Sequence, residues 1–492
     1  MELISVIDAG TGSIRNTIYD LSGRVVEVRK MDNPLIHPQP GWAEQDTAAW
    51  WSVIKDQFLD LDQAIRSQIM AITVTSQREG IVPVNEDFLP LSNMIIWLDG
   101  RTVREGEEIL EKLGAQEIYD ITGLVANPVW SLSKILWIRK HRVEVYRKAY
   151  KLLQAEDYLL SRLTRKGVSE LSIASRTCML DVARRKWSGR ILETFDIDEN
   201  KLPELLEPGS LIGTIPGDIA QELGLSRNIK VIAGAGDQQA AALGVGALEE
   251  GMVSIGIGTS SALSMTLDRP VRPRHHKIIL NCAALPGKWE YEPPIWNTGG
   301  LIKWYVENIQ GEDQSYEELL QGIASVPAGS DGIITLPYFS GAGSPRWNPE
   351  LKGGFYGLGL HHNSLHMLRS LMESIAFEIK FNIESIRSSG IALKKVILSG
   401  GASKNRPLCQ IISDVLQSQV EVFVEAEASS RGVFLLARNA YMADGGKSPE
   451  PPVTPEYISF APDPGKKDTY DQSYERYIQL GDHMEKLSEI KD

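Results

Sequence analysis

Hydrophobic and polar positions alternate through the first thirty residues in the pattern of β-strands. Residues 4–9 form a mainly apolar run that contains Asp8 and leads into the turn Gly10-Thr-Gly12-Ser13. Residues 14–20 and 25–30 are rich in β-branched side chains and are separated by a Leu-Ser-Gly-Arg turn. The pattern predicts a three-stranded meander, with the glycine-rich turn at its first corner.

The glycines of this first turn allow backbone N–H groups to approach a phosphate. A dinucleotide-binding fingerprint would require a third glycine, where the chain has Arg15, and a helix directly after the loop. The strand pattern after the turn excludes that fingerprint. From this stretch alone, a phosphate-binding turn and an ordinary tight turn both remain open.

Further along the chain, helix and strand patterns alternate. Residues 42–65 have the pattern of a helix, and residues 71–76 that of a buried strand. The alternation continues to about residue 240, where a strand over 228–235 precedes a helix of small residues over 238–248. Alternating strands and helices predict an α/β domain.

A second series of strands begins at residues 253–267, where Gly258-Thr-Ser interrupts an apolar run. A third glycine-rich loop, within residues 396–405, leads into a helix. One such loop is weak evidence for a ligand. Three loops at strand ends, spread over two halves of the chain, predict a nucleoside triphosphate bound between two lobes.

Composition excludes several classes of protein. The chain has 492 residues, of which 42% are hydrophobic and 23% charged, as expected for a globular protein with more than one core. A net charge of −13 argues against nucleic acid as the main partner. Three widely spaced cysteines form no metal-binding pattern and suit a reducing cytoplasm, and no signal peptide or membrane-spanning stretch is expected.

The last part of the chain contains a proline-rich stretch at residues 449–468, which predicts a surface connection. The helix predicted after it carries Tyr470, Tyr474 and Tyr477 at helical spacing. Such a stripe predicts packing against the core.

Three polar residues, Gln77, Arg78 and Glu79, interrupt a run at residues 73–84 that otherwise has the pattern of a buried strand. Charges are unfavourable there unless they are paired. One interpretation is an Arg–Glu ion pair that satisfies itself. The other is a site for a polyhydroxyl ligand, because a guanidinium fork donates to hydroxyls, a carboxylate accepts from them, and α/β proteins bind ligands at strand ends.

Asp237 follows the strand predicted at residues 228–235 and precedes the helix of small residues. Asp is a favoured helix N-cap, which gives the residue a structural interpretation. A carboxylate here is also a candidate general base, because kinase chemistry requires a proton acceptor near the attacking hydroxyl. The position alone does not decide between the two.

The chain resembles the FGGY family of carbohydrate kinases over nearly its whole length. The matching segments are specific in combination, although each alone is not. They are Asp8-Ala-Gly-Thr-Gly-Ser13, Trp97-Leu-Asp99-Gly-Arg101, Ser131-Leu-Ser-Lys134-Ile-Leu-Trp137, Gly353-Gly-Phe-Tyr-Gly-Leu358 with residues 366–373, and Gly400-Gly-Ala402 with Asn405.

This resemblance implies an α/β fold of two actin-like (ribonuclease H-like) domains, with nucleotide and substrate in the cleft between them. Residues 1–245 would form the mainly substrate-binding domain and residues 246–492 the mainly ATP-binding domain. ATP and Mg²⁺ are implied as cofactors, and a small sugar or polyol as the partner. The implied function is ATP-dependent phosphorylation of a substrate hydroxyl.

The resemblance also assigns roles to individual residues. Asp237 would be the catalytic base, and Asp8 together with Asp237 would position the magnesium ion. The substrate would be held by Gln77, Arg78, Glu79, Trp97, Asp237 and Gln238. The nucleotide would be held by Thr11, Gly12, Ser13, Gly258, Thr259, Gly300, Gly400, Gly401, Ala402 and Asn405.

Segments near the substrate residues resemble several subgroups. Residues 76–79, 174–177 and 236–239 are similar to glycerol kinases, but Val129 stands where that pattern has a tyrosine. Residues 78–82 resemble autoinducer-2 kinases, which phosphorylate a short linear diketo-polyol, and xylulokinases are a third alternative. We therefore expect a linear polyol or keto-sugar of about four to six carbons, with glycerol less favoured.

An actin-like ATPase that transfers no phosphate to a sugar is the alternative function. Such a protein needs phosphate-binding loops but does not need Arg78, Glu79 or Trp97, so these residues favour the kinase. The sequence leaves the oligomeric state open, including a homodimer.

Overall fold

Two mixed β-sheets, each covered by helices, form the two lobes of the molecule. The computed structural model describes residues 2–273, 277–310, 316–425, 427–447 and 454–488. The α/β class expected from the sequence is confirmed.

The first half of the chain supplies the strands and helices of the first lobe. Its strands are β1 (Leu3–Ala9), β2 (Ser13–Asp20), β3 (Val25–Asp32), β4 (Glu44–Gln45), β5 (Ile69–Ser76), β6 (Val82–Val84), β7 (Met94–Ile95), β8 (Lys151–Leu153), β9 (Val168–Glu170), β10 (Leu180–Asp181), β11 (Lys186–Trp187), β12 (Glu204–Leu206), β13 (Leu211–Thr214) and β14 (Lys230–Gly236). Its helices are α1 (Thr47–Leu59), α2 (Gln63–Arg66), α3 (Val103–Thr122), α4 (Ser131–His141), α5 (Val143–Lys148), α6 (Ala155–Thr164), α7 (Leu171–Ala174), α8 (Gly189–Phe195), α9 (Gly217–Glu222) and α10 (Asp237–Gly244).

The second half supplies the second sheet and its helices. Its strands are β15 (Met252–Ile257), β16 (Ser261–Leu267), β17 (Leu280–Cys282), β18 (Trp289–Tyr291), β19 (Pro294–Ile295), β20 (Ile334–Leu336), β21 (Gly354–Tyr356), β22 (Lys395–Ser399), β23 (Val420–Phe423) and β24 (Tyr457–Phe460). Its helices are α11 (Gly299–Tyr305), α12 (Tyr316–Ile323), α13 (Ser364–Arg387), α14 (Arg406–Leu416), α15 (Ala428–Asp444) and α16 (Lys467–Ser488).

The opening meander forms one edge of the first sheet, whose strand order is β13-β14-β5-β1-β2-β3. The predicted hairpin is confirmed, since the Gly10 N–H donates to the Ser13 carbonyl at 3.0 Å. Strands β1, β5 and β14 run parallel, and the register pairs Ala9 and Gly236 with Ser76. The three segments that follow these strands therefore leave the sheet at the same edge.

The second sheet repeats this arrangement, in the order β17-β18-β16-β15-β22-β23-β24. The glycine-rich turn at residues 258–260 joins the antiparallel strands β15 and β16. Strand β22 runs parallel to β15 and pairs Ser399 with Gly256. The second and third glycine-rich loops therefore leave this sheet at the same edge. The first loop lies at the corresponding edge of the other sheet.

The helix predicted over residues 42–65 is shorter than expected. Helix α1 begins at Thr47 because the Asp46 carboxylate accepts the N–H groups of Ala48 and Ala49, at 3.0 and 3.1 Å. The helix predicted over 238–248 is α10, which ends at Gly244. Gly246 adopts a φ of +85°, a conformation that does not continue a right-handed helix.

The tyrosine stripe of α16 is confirmed as core packing. Tyr470, Tyr474 and Tyr477 are buried, and each ring contacts Phe377 on α13. Of the proline-rich stretch before α16, residues 449–453 lie outside the described residues, and the described part includes β24, which pairs with β23.

Helix α15 of the second half packs on a face of the first sheet and crosses α10. The Phe434 ring stacks on Tyr19 at 4.6 Å between ring centres. At the crossing, a Cβ on Gly432 would overlap the carbonyl oxygen of Ala240, and a Cβ on Gly244 would overlap that of Ala428. The two helices approach this closely because both positions are glycine.

The chain division expected between residues 245 and 246 falls just after α10 and stays a prediction. Within the described ranges, no helix combines the length and the apolar character needed to cross a membrane.

Replacing Gly432 with alanine tests the helix crossing. We expect Gly432→Ala to lower the free energy of unfolding by about 1–3 kcal/mol, because the added methyl group forces α15 away from α10. Urea denaturation followed by tryptophan fluorescence measures the effect.

Gly445→Ala, directly after α15, is the matched control, because its new methyl group would meet atoms no closer than 3.5 Å. This control should stay within about 0.5 kcal/mol of the wild type. Equal stability of the two variants would show that the close crossing is not needed.

Candidate active site

A cavity of about 520 Å³ lies where the carboxyl ends of the parallel strands of both sheets face each other. The predicted site residues that line it are Thr11, Gln77, Arg78, Glu79, Trp97, Asp237, Gln238, Gly258 and Gly400. Other predicted residues lie outside this lining, namely Asp8, Gly12, Ser13, Thr259, Gly300, Gly401, Ala402 and Asn405. The structure thus brings the predicted substrate residues and parts of all three glycine-rich loops to one cavity.

Asp237 is the first residue of α10, directly after β14. Gly236 occupies the N-cap position, so helix capping by Asp237 is wrong as an explanation of this carboxylate. One oxygen accepts the Gln238 N–H at 2.7 Å, and it also lies 3.3 Å from Nε of Arg78. Burial raises the pKa of Asp237 to about 6, against the opposing effect of the positive Arg78.

Asp8, near the end of β1, is electrostatically coupled to Asp237. The pKa of Asp8 is raised to about 7, first by burial and then by the negative charge of Asp237, while Arg15 acts in the opposite direction. Asp8 lies near the end of β1 and Asp237 directly after β14, the two strands that flank β5, and the two carboxylates therefore repel each other. Such a pair suits a hard divalent cation, which prefers oxygen ligands.

Arg78 connects the two lobes. Its two terminal nitrogens lie 2.6 and 2.8 Å from the two oxygens of Glu292, which follows β18 in the second lobe. Gln239 accepts from the same guanidinium at 2.9 Å. The fork of Arg78 is thus occupied within the protein, and Nε remains directed at Asp237.

Glu79 forms a second buried ion pair, with Arg176 at 2.6 Å. The guanidinium of Arg176 lies 4.7 Å from the centre of the Trp130 ring and also 3.4 Å from Glu292. Glu79 has a φ of +66°, and its N–H donates to Gln154 at 2.8 Å. Arg78 and Glu79 are both ion-paired, as one of the two interpretations expects. They do not pair with each other, because each has a partner far away in the sequence.

Thr11, in the first glycine-rich loop, is tied to the substrate side of the cavity. The Trp97 indole N–H donates to the Thr11 hydroxyl at 3.0 Å, and that hydroxyl donates to Gln77 at 3.1 Å. Gln45 donates to the Thr11 carbonyl at 2.8 Å and accepts from Gln77. The loop is therefore held by residues expected to contact the substrate.

The glycine-rich loops of the second lobe are stacked closely on one another. The Gly258 and Thr259 carbonyls accept the N–H groups of Gly299 and Gly300 at the start of α11, both at 3.0 Å. Gly400 has a φ of +87°, and a Cβ there would lie 2.7 Å from the Ile257 carbonyl oxygen. Glycine is required where these loops touch.

Two residues of the family motifs have structural contacts. The Asn405 side chain is buried and caps α14 by accepting the Leu408 N–H at 3.0 Å. Asp99 and Arg101 pair with each other at 2.7 Å, and Arg101 stacks on Trp42.

Glu292 was not predicted from the sequence, and Arg176 entered only within residues 174–177, which are similar to glycerol kinases. Asn281, which donates to Glu292 at 2.9 Å, was missed as well. The available signal for Glu292 was its place in the aromatic strand segment 289–296, where a carboxylate requires a buried partner. The identity of that partner depends on how the lobes meet.

A second cavity, of about 410 Å³, adjoins the first on the side of Val129. The two share Trp97, Val129, Arg176, Glu292, Pro294 and Trp296 in their walls. The second cavity is also lined by Trp130 and Trp347. Beyond Val129, the cavity thus continues into a second space, called here the indole-lined cavity because Trp97, Trp130, Trp296 and Trp347 are among its lining residues.

Comparison with known proteins identifies both halves of the chain. The model of the FGGY family of carbohydrate kinases, N-terminal domain, matches residues 3–244. The model of the C-terminal domain of the same family matches residues 253–441. Together the two matches cover most of the chain.

Proteins that are similar over most of this chain are named as kinases. A xylulose kinase of Lactococcus lactis is 28% identical over 99% of this chain and 98% of that protein. A glycerol kinase of Thermococcus kodakarensis is 30% identical over 89% of this chain and 88% of that protein. A gluconokinase of Bacillus subtilis is 28% identical over 87% of this chain and 86% of that protein.

Solved structures show the same two-lobed fold. Xylulose kinase from Rhodospirillum rubrum superposes with a TM-score of 0.92 at 24% identity, over 99% of this chain and 100% of that one. Plasmodium falciparum glycerol kinase with ADP gives 0.87 at 24% identity, over 98% of both chains. The actin-like architecture expected from the sequence is confirmed.

Removing Arg176 tests the buried ion pairs. We expect Arg176→Met to lower the free energy of unfolding by about 3–5 kcal/mol, because the Glu79 carboxylate then stays buried beside an apolar side chain. Urea denaturation gives the difference from the wild type.

Arg184→Met provides the comparison, since Arg184 is 83% exposed in its pair with Asp181. That change should alter stability by no more than about 1 kcal/mol. Similar losses in both variants would mean that Glu79 does not depend on Arg176.

Proposed function

The chain belongs to the FGGY family of carbohydrate kinases, and we propose that it transfers the γ-phosphoryl group of ATP to a hydroxyl of a linear polyol or keto-sugar, with Asp237 as general base. Membership of this family makes it a phosphotransferase that acts on an alcohol group. The alternative, an actin-like ATPase that leaves sugars unmodified, is not supported by that membership.

The position of the Asp237 carboxylate is the observation that carries the proposal. It lines the same cavity as the proposed substrate residues Arg78, Glu79 and Trp97 and as parts of the glycine-rich loops of both lobes. A pKa of about 6 keeps it ionised near neutral pH and still able to accept a proton. The carboxylate would take the proton of the attacking hydroxyl, while Arg78 holds its orientation.

The nucleotide would lie along the glycine-rich loops, since ATP is the phosphoryl donor expected in this family. Thr11, Gly12 and Ser13 from the first lobe, and Gly258, Thr259 and Gly300 from the second, would surround the phosphates. Gly400, Gly401, Ala402 and Asn405 would surround the adenosine. A Cβ on Gly401 would meet no atom within 4 Å, so this loop has an open face.

Asp8 and Asp237 fit a magnesium ion, because burial raises the pKa of both carboxyl groups and a cation beside them would stabilise their ionised forms. Among the described residues, no group of three or more His, Cys, Asp or Glu side chains is arranged to hold a metal. Mg²⁺ is usually bound by one or two carboxylates together with substrate phosphate oxygens and water. The ion would supply charge neutralisation on the transferred phosphoryl group.

The substrate would bind between Trp97 and the two ion pairs. Glu79 retains acceptor capacity beside Arg176, Gln238 lines the same wall, and Gln77 positions Thr11. Closure of the lobes around both ligands would exclude water, which otherwise competes for the phosphoryl group.

Val129 bears on the length of the substrate. Its apolar side chain stands where the two connected cavities meet. A substrate of about four to six carbons would extend past Val129 into the indole-lined space, whereas glycerol would gain nothing from it. Relatives named xylulose kinase, gluconokinase and glycerol kinase act on substrates of different length, and we favour a ketose or polyol such as xylulose or the autoinducer-2 precursor for this chain.

We also propose that the enzyme works in the cytoplasm, where ATP is available. Its cysteines Cys178, Cys282 and Cys409 are free and buried, which suits a reducing compartment. A small sugar or polyol would be its main partner, and the oligomeric state, including a homodimer, is left to measurement.

The replacement Asp237→Asn tests the general base. We expect turnover to fall by about two orders of magnitude or more, because the amide cannot accept the hydroxyl proton, while ATP affinity is retained. The measurement is ADP release with ATP, Mg²⁺ and a panel of glycerol, erythritol, xylitol, D-xylulose and D-glucitol.

Asp218→Asn, at an exposed acid on α9, serves as the control and should keep wild-type turnover. Retained turnover in Asp237→Asn would remove Asp237 from the mechanism. ADP release by the wild type at one rate with and without every sugar would instead support the ATPase.

The replacement Val129→Tyr tests the basis of substrate choice. A phenol at this position would give a short triol a hydrogen-bonding partner and would narrow the passage to the second cavity. We expect the ratio of kcat/KM for glycerol to that for the best longer substrate to rise by about tenfold or more.

Val143→Tyr, at a side chain that is exposed on α5, controls for adding a phenol and should leave the ratio unchanged. A wild type that already prefers glycerol to every longer substrate would show that Val129 does not determine specificity.

A further inference from the structure

Glu292 is a carboxylate of the second lobe that lies among basic groups of the first. It is 3% exposed, and it contacts Arg78 in a bidentate pair and Arg176 at 3.4 Å. Asn281 donates to it at 2.9 Å and Gln239 at 3.4 Å. Several polar groups thus converge on a single carboxylate.

The position of this carboxylate is that of a substrate-site residue. Glu292 lines both the main cavity and the adjoining indole-lined cavity, as Arg176 does. A pair that served only to hold the lobes together would not have to lie at the junction of two cavities.

The arginines that Glu292 contacts are the positive groups available to a ligand. Among the described residues that line the two cavities, Arg78 and Arg176 are the basic ones. The fork of Arg78 is filled by Glu292, and Arg176 is shared between Glu79 and Glu292. A negatively charged ligand would therefore find both cations already paired.

The acids at this site outnumber the cations. The cavity is lined by four acidic residues, Glu79, Asp237, Glu292 and Glu427, and by two basic ones, Arg78 and Arg176. Glu427 pairs with Arg15 outside the lining, and the other three acids still exceed the two arginines by one negative charge when all are ionised. The carboxylate of a sugar acid would meet this excess in a poorly hydrated space, where like charges repel strongly. Hydroxyl and keto groups carry no charge and would avoid that repulsion.

We propose that Glu292 is a specificity-determining residue, which restricts the enzyme to uncharged polyols and keto-sugars by occupying the two arginines that would otherwise bind the carboxylate of an aldonic acid. This inference rests on the proposed function, because it concerns the acceptor of the same phosphoryl transfer.

The test compares acceptors that differ in charge but not in carbon number. Wild-type enzyme and Glu292→Gln are assayed for kcat/KM with D-glucitol and D-gluconate, and for competitive inhibition by each compound against the best neutral substrate. We expect the wild type to favour glucitol over gluconate by about tenfold or more. The variant should shift the ratio towards gluconate by about ten- to a hundredfold, because the freed guanidinium groups can donate to the ligand carboxylate.

Glu290→Gln is the matched control, on β18 two residues before Glu292. Glu290 is a buried glutamate like Glu292, but it lines neither cavity. The ratio of glucitol to gluconate should therefore stay at the wild-type value in this variant.

The possible results distinguish the role of Glu292 from the proposed kinase function. A wild type that uses or binds gluconate as well as glucitol would overturn the role of Glu292 while leaving the kinase intact, and this result does not depend on the variant folding. An unchanged ratio in folded Glu292→Gln would overturn it as well. A wild type that phosphorylates no polyol, ketose or aldonate would overturn the proposed function and the inference together.

Discussion

The pairing of five charged side chains in the cleft is the constraint on which the rest of the structure depends. Arg78, Glu79, Arg176, Asp237 and Glu292 come from segments far apart in the sequence, and four of them are nearly inaccessible to water. Removing such charges from water is unfavourable by several kcal/mol for each ion unless a partner is correctly placed. Partners come from both lobes, so the pairing is satisfied only when the two sheets face each other in one arrangement.

Glycine residues allow the backbone segments to come close enough for that arrangement. Gly432 and Gly244 allow α15 and α10 to cross with their backbones nearly in contact, which brings a helix of the second half onto the first sheet. Gly299 and Gly400 allow the loops of the second lobe to approach one another in the same manner. Glycine here permits close approach, and a larger residue would separate groups that must meet across the cleft.

The chemistry of the site follows from this geometry. Parallel strands end at one edge of each sheet, so the two edges together present glycine-rich loops and polar side chains to a shared cavity. The Trp97–Thr11 and Thr11–Gln77 hydrogen bonds couple the first glycine-rich turn to two other residues that line the cavity. The positive Arg78 opposes the effect of burial on Asp237, and the resulting pKa of about 6 suits a proton acceptor at neutral pH.

The sequence alone determined the elements whose signals are local. Strand alternation and glycine turns identified the opening hairpin and the later loops, and the spaced motifs pointed to the family. Helix α1 begins later than the hydrophobic pattern predicts, because the Asp46 side chain caps its N-terminus. Only the tertiary structure decided which charges pair: neighbours in the sequence suggested Arg78 with Glu79, whereas the fold gives Arg78 to Glu292 and Glu79 to Arg176. The reason is physical, since an ion pair depends on distances across the cleft, and those distances are fixed by how two lobes pack and not by any stretch of the chain.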